Sequence, residues 1–117
     1  MNSRQLAAYC ASRPAAVEDH PWGASPTVFK VGGPDGPMFA IVSTAADPPQ
    51  ISLKCDPDLA EALRRAHPAV VPGYYLNKRL WNTVAADGSI PDAELRSMVD
   101  HSWEQVVDGM PRSRRPA

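Results

Sequence analysis

Lysine is nearly absent from this sequence. Lys30, Lys54 and Lys78 are the only three, and nine arginines supply the remaining positive charge. Against 13 acidic residues this leaves a formal net charge of -1 and a pI of about 6.3. Such a balance makes no overall field to draw in a polyanion, so a role on nucleic acid requires a local basic patch. Cysteine is as sparse: Cys10 and Cys55 stand far apart with no C-x-x-C spacing. That excludes a disulfide framework and predicts two reduced, buried thiols. No apolar run approaches the roughly 18 residues of a membrane span. The first residues lead only into a short amphipathic run, 6–10, rather than an apolar signal core. These absences point to a cytoplasmic protein with no membrane partner, and the expectation is a monomer.

Motifs for chemistry are missing too. His20, His67 and His101 are isolated in sequence, and none makes an H-x-x-x-H or Cys/His spacing for zinc. Asp100 and His101 are adjacent, so they diverge around a helix and form no dyad. There is no G-x-S-x-G and no P-loop. Gly32-Gly33-Pro34-Asp35-Gly36 reads as a hairpin turn rather than a phosphate cradle opening a helix. The expectation is a non-catalytic domain without cofactor or metal.

What is present suffices for one core. The chain has 117 residues, 44% of them hydrophobic, enough for a single domain to fold without staples. That domain should span residues 1–111, leaving 112–117 as a basic flexible tail. Ser3 as N-cap and Pro14 as a stop predict a first helix over 3–12, with Leu6, Tyr9 and Cys10 on one face. A loop through Glu18, Asp19, His20, Pro21, Trp22 and Gly23 follows. Strands are expected at 27–31, 38–43, 50–54 and 80–84, the first three joined by short turns and therefore antiparallel. Asp56-Pro57 pairs an N-cap with a first-turn proline and opens a helix over 57–67, with Leu59, Leu63 and Ala66 as its apolar stripe. Residues 69–75 read as loop or irregular strand. Ser89 and Asp92 have capping-box spacing before a last helix, 91–109, whose stripe is Leu95, Val99, Trp103, Val106 and Met110. The sum is an α+β domain: three helices packed on an antiparallel sheet of at least four strands.

The wording of the second half resembles a known family. Ile51-Ser52-Leu53-Lys54, Asp56-Pro57-Asp58-Leu59-Ala60-Glu61, Leu76-Asn77-Lys78-Arg79-Leu80-Trp81-Asn82-Thr83-Val84 and Asp87-Gly88-Ser89-Ile90-Pro91-Asp92 are similar to motifs of the MmcQ/YjbR family. Pro14, Pro21-Trp22-Gly23, Val28-Phe29-Lys30-Val31 and Met38-Phe39-Ala40 agree, so the resemblance runs from about Gln5 to Val107. It implies a frataxin-like (CyaY-like) fold and brings a proposal of DNA binding through a "double wing". Fold-level analogy does not by itself carry function. Frataxin-type proteins hold iron on an acidic first helix, whereas here that helix carries Arg4 and no carboxylate, with Arg13 just beyond it. The oxygen ligands that a hard cation needs are missing there.

One charge asymmetry stands out. Between Glu61 and Asp87 there is no acidic residue, while Arg64, Arg65, Lys78 and Arg79 fall in that window with His67. Tyr74, Tyr75 and Trp81 are interleaved, Asn77 and Asn82 add amides, and Lys54 lies just upstream. Cations beside aromatic faces suit phosphate contact plus base stacking. The candidate site for nucleic acid or another anion is therefore Lys54, Arg64, Arg65, Asn77, Lys78, Arg79 and Trp81. The plainer reading of the same residues is a solvated helix face at Arg64-Arg65, a core Trp81, and an Asn77 in a left-handed turn. An acidic protein or a small anionic ligand fits the same charges. Trp22, between Pro and Gly, is expected to anchor its loop on the core, and Trp103 to be core.

Overall fold

The computed structural model describes residues 1–73 and 76–116. In chain order it contains α1 (Ser3–Ala11), β1 (Ala16–Asp19), β2 (Thr27–Val31), β3 (Met38–Ser43), β4 (Gln50–Lys54), α2 (Pro57–Ala66), β5 (Val70–Pro72), β6 (Trp81–Ala85) and α3 (Asp92–Asp108), then a 3-10 turn at Arg112–Arg114. The six strands form one antiparallel sheet in the order β1-β2-β3-β4-β6-β5. The expected α+β architecture is therefore present. Among the described residues no helix is long and apolar enough to cross a membrane.

Two of the three α-helices start where a side chain accepts their free backbone donors. α1 is capped by Asn2, one residue earlier than the Ser3 expected: Asn2 Oδ1 accepts from the Gln5 backbone N–H at 2.8 Å, and Gln5 Oε1 accepts from that of Asn2 at 2.9 Å. The reciprocal pair satisfies two free donors, which Ser3 with Leu6 three residues on could not do. At α2, Asp56 Oδ2 accepts from the Leu59 N–H at 3.1 Å, as its Asp-Pro sequence requires. At α3 the expected Ser89/Asp92 box does not form. Asp87 Oδ1 takes both the Ser89 N–H at 3.0 Å and its hydroxyl at 2.6 Å, and Pro91 is the cap without a side-chain bond.

Period-two alternation gives the sheet two unlike faces. On one, Phe29, Ala40, Val42, Ile51, Leu53 and Val84 are buried with Leu6 and Cys10 of α1 and Leu95, Val99 and Val106 of α3. A bulge in the β2–β3 register, Phe29 opposite Ala40 but Lys30 opposite Met38, leaves Phe39 as the extra residue. Phe39 is fully buried and its ring lies 6.4 Å from that of Phe29 at a tilt of 52°. Such a pair adds about 0.5–1.5 kcal/mol beyond the area it buries. Ser102, also fully buried, ties α3 to two strands. Its hydroxyl donates to the Phe39 carbonyl at 2.6 Å and accepts the Lys54 N–H at 2.8 Å.

Several expectations are corrected. Glu18 and Asp19 belong to the edge strand β1, paired along β2 and fastened by Lys30 Nζ, which donates to Asp19 Oδ2 at 2.7 Å. Trp103 is only half-buried. It sits one residue past the slot Ser102 fills, and its Nε1 donates to the Pro14 carbonyl at 3.0 Å. On α2, Leu63 of the apolar stripe packs half-buried against the core, Leu59 is 39% exposed, and Ala60 is the buried residue of the helix. Trp22 does not anchor its loop in the core, being 62% exposed. After α3, Arg115 turns back so that its guanidinium donates to the carbonyls of Met110 at 2.9 Å and Asp108 at 2.8 Å. Both cysteines are free and buried. Burial pushes the Cys10 thiol up to about 12 and the Cys55 thiol up to about 11, the Asp56 carboxylate adding to the second.

Candidate functional site

Among the described residues no helix covers the second face of the sheet. Register places Val28, Ile41, Ser52, Lys54, Trp81 and Thr83 on it: Val28 opposite Ile41, Ile41 opposite Ser52, Ser52 opposite Thr83, Lys54 opposite Trp81. The sequence signal for an open face is visible along β4, where Gln50, Ser52 and Lys54 alternate with the buried Ile51 and Leu53. Two loops fold onto this face from opposite ends of the strands. The β1–β2 loop arrives from the end where Thr27, Gln50 and Ala85 lie and brings Trp22 and Pro26. The β5–β6 loop arrives from the end of Lys54 and Trp81 and brings Leu76. Between them lies a cleft of about 480 Å³, walled by those residues with Met38 and Ile41 and floored by Gln50, Ser52 and Thr83. Ser52 Oγ and Thr83 Oγ1 are hydrogen-bonded at 2.8 Å. None of the described lining residues is charged.

The β5–β6 loop is held down by a clamp built from Arg64. Its Nε donates to Asn82 Oδ1 at 2.7 Å, and one terminal nitrogen donates to the carbonyls of Lys78 and of Trp81, the latter at 3.4 Å. Asn82, 3% exposed, passes the link on, its Nδ2 donating to the Ala60 carbonyl at 3.4 Å. Within the loop, Asn77 Oδ1 accepts the Arg79 N–H at 3.0 Å, and its carbonyl accepts those of Leu80 at 3.0 Å and Trp81 at 2.9 Å. Asn77 thus makes the turn, but with φ below zero. Among the described residues Ala15 is the one non-glycine at positive φ, so the left-handed conformation expected of Asn77 is absent. Gly73 is obligatory, because a Cβ there would stand 2.9 Å from that of Trp81.

The seven candidate residues consequently divide. Arg64 faces the protein. Arg65, its neighbour, is exposed and 3.9 Å from Glu61 on the same helix. Trp81 is 8% exposed and packs as part of the sheet. Asn77, Lys78 and Arg79 are exposed at the loop tip, and Lys54 lies half-exposed on the open face opposite Trp81. Lys54, Lys78 and Arg79 form no ion pair with any described residue. Tyr74 and Tyr75, expected to interleave with these cations, lie outside the described residues. The opposite end of the cleft is acidic: Asp47 lies in the turn before Gln50, and Asp87 follows the strand that ends opposite it. Hydrogen bonds from the Ser89 hydroxyl and N–H hold the Asp87 carboxyl below the usual carboxylate range, so it is anionic at neutral pH.

A smaller apolar groove of about 200 Å³ runs between α2 and α3, walled by Leu59, Leu63, Met98 and Val84. Here two of the three histidines isolated in sequence find partners. His67 Nε2 is 2.8 Å from Glu94 Oε1, closing one end, and His101 Nε2 accepts the Asp56 N–H at 3.2 Å at the other. Asp100 turns away to accept from Tyr9 Oη at 2.7 Å and Arg13 at 3.1 Å. Among the described residues no three metal-ligating side chains gather.

Comparison with known proteins converges on one family. A family model described as YjbR matches residues 11–105. The protein YjbR of Escherichia coli K12 is 38% identical over 117 residues, covering 98% of this chain and 95% of its own length. YbdF of Escherichia coli O157:H7 is 37% identical over 90 residues, 77% of this chain and 71% of its own. Among solved structures, the crystal structure of protein DR2400 of Deinococcus radiodurans superposes with a TM-score of 0.88 at 36% identity, over 95% of this chain and 83% of that one. A Pseudomonas syringae protein superposes with a TM-score of 0.78 at 26% identity, over 91% and 99%.

Proposed function

The chain belongs to the YjbR family, and we propose that it is a non-catalytic binding domain that holds nucleic acid on the open face of its sheet. The observation that carries this reading is an exposed tryptophan and three cations, none paired with a described residue, on the strand and the two loops that border the open face. Trp22 stands on one loop, Lys78 and Arg79 on the other, and Lys54 on the strand between. Cations fix a phosphate backbone and an aromatic face takes a base. The protein's net charge of -1 supplies no long-range attraction, so binding is weak and local.

The test is fluorescence anisotropy with short single- and double-stranded DNA at two salt concentrations. With Lys54, Lys78 and Arg79 as the contacts, the slope of log K against log salt is about -2.1 for single strands and about -2.7 for duplex. Affinity then falls roughly 20- to 40-fold over a fourfold rise in salt. Replacing Lys78 and Arg79 together by Ala removes about two thirds of that slope. Absence of binding at low salt, or a slope indifferent to the double replacement, overturns the reading in favour of an acidic protein or small anion as the ligand.

A further inference from the structure

Resting on that reading, we infer that the cleft takes one unpaired nucleobase, so that the ligand is single-stranded nucleic acid rather than duplex. Three features of the cleft select a base. Its walls are apolar and include one broad aromatic surface, Trp22, left 62% exposed, which suits the π-face of any base. Its floor offers donors and acceptors together. The Ser52–Thr83 hydroxyl pair spends one hydrogen on its mutual bond and retains another plus free lone pairs, while the Gln50 amide has no partner among the described residues. A mixed donor–acceptor edge is what a nucleobase presents when unpaired, and what it hides when paired.

The lining is also free of charge, with cations beyond one end and Asp47 and Asp87 beyond the other. A phosphate is therefore favoured outside the cleft, beside Lys54, Lys78 and Arg79, and the neutral base within it. The two loops wall the cleft from both strand ends. A base still in a duplex stack presents only its groove edge and cannot lie flat between them without being flipped out, at a cost of unpairing. A single strand bears no such cost.

The experiment compares a 12-nucleotide oligothymidine, a duplex of the same length and an abasic strand of the same length, each by anisotropy against the intact chain, Trp22→Ala and Trp22→Phe. The single strand should bind at least tenfold tighter than the duplex. Trp22→Ala should cost the single strand roughly 5- to 150-fold in affinity, the worth of one base stack, with the salt slope unchanged, and Trp22→Phe should recover most of it. The abasic strand should bind the intact chain as weakly as oligothymidine binds Trp22→Ala. Because Trp22 is exposed, both variants should keep the parent circular dichroism and melting. Duplex binding equal to or tighter than single strand, with Trp22→Ala indifferent, overturns this inference and leaves nucleic-acid binding standing. No binding of any of the three probes overturns both.

Discussion

Arg64→Ala separates a structural arginine from a phosphate contact. The guanidinium makes one bond to the Asn82 side chain at 2.7 Å and further bonds to the Lys78 and Trp81 carbonyls. Removing it strands Asn82 Oδ1 in a residue only 3% exposed, at a cost of about 1–3 kcal/mol for an unsatisfied buried acceptor. The carbonyls face the loop surface and recover water, so they add about 1 kcal/mol. A total of about 2–4 kcal/mol follows. With an unfolding entropy of about 2.1 cal/mol/K per residue over this chain length, melting should fall by about 8–16 °C. Arg64→Lys keeps the charge but not the planar fork, and should recover less than half. Arg65→Ala is the control: its exposed pair with Glu61 at 3.9 Å is worth at most about 0.5 kcal/mol. Thermal and urea unfolding followed by circular dichroism give both numbers. If Arg64→Ala melts within about 2 °C of Arg65→Ala, the clamp is not what holds the loop. A reduced salt slope in the DNA assay with unchanged melting would instead make Arg64 a phosphate contact.

Ser102→Ala should destabilise by about 2–4 kcal/mol in urea titration, because it leaves the buried Phe39 carbonyl and Lys54 N–H unpaired; a loss under 0.5 kcal/mol would refute the strand-to-helix tie. The thiols give a pH prediction of definite sign. With Cys10 pushed up to about 12 and Cys55 up to about 11, the unfolded chain releases these protons before the folded one. Stability should therefore be flat with respect to the thiols below about pH 9. It should fall from there and level off above the folded values. Thiol titration at pH 8 should find neither cysteine reactive in the native protein and both reactive once it is unfolded, whereas a fast native thiol would contradict the burial.

Strands β2, β3 and β4 were legible to the residue, because each combines β-branched or aromatic runs with turn residues at both ends. The edge strand β1 was not. Ala-Val-Glu-Asp has one β-branched residue and becomes a strand only because β2 offers a free edge and Lys30 an ion pair. The position of Trp22 is not legible for a related reason. A Pro-Trp-Gly sequence says that the chain turns around a large ring, not on which side of the sheet the turn comes down. The depth of the second-helix stripe is not legible, because a helical period shows which residues share a face, not whether a neighbouring helix closes on it. Leu59 and Leu63 wall a groove between α2 and α3, and Leu63 alone of the two also packs against the core.

The basic window was legible as composition and illegible as geometry, and the reason lies in one turn of helix. Arg64 and Arg65 are adjacent and equally charged, yet about 100° of rotation turns one guanidinium toward the loop and the other into water. The first then orders the carbonyls of Lys78 and Trp81, and it is this order that presents Lys78 and Arg79 outward at the loop tip. A cation that looks like part of a binding surface thus acts on that surface from beneath. Its partner Asn82 is 18 residues away and lies on the helix-covered face, opposite Leu53, while its neighbours Trp81 and Thr83 lie on the open one. Only the register of β6 against β4 makes that division. The same register sets Lys54 beside Trp81 and Ser52 beside Thr83, and so assembles from four unremarkable residues the floor and the basic end of the cleft. No run of the sequence contains that cleft, because its residues come from five strands or loops and meet only once the sheet has closed.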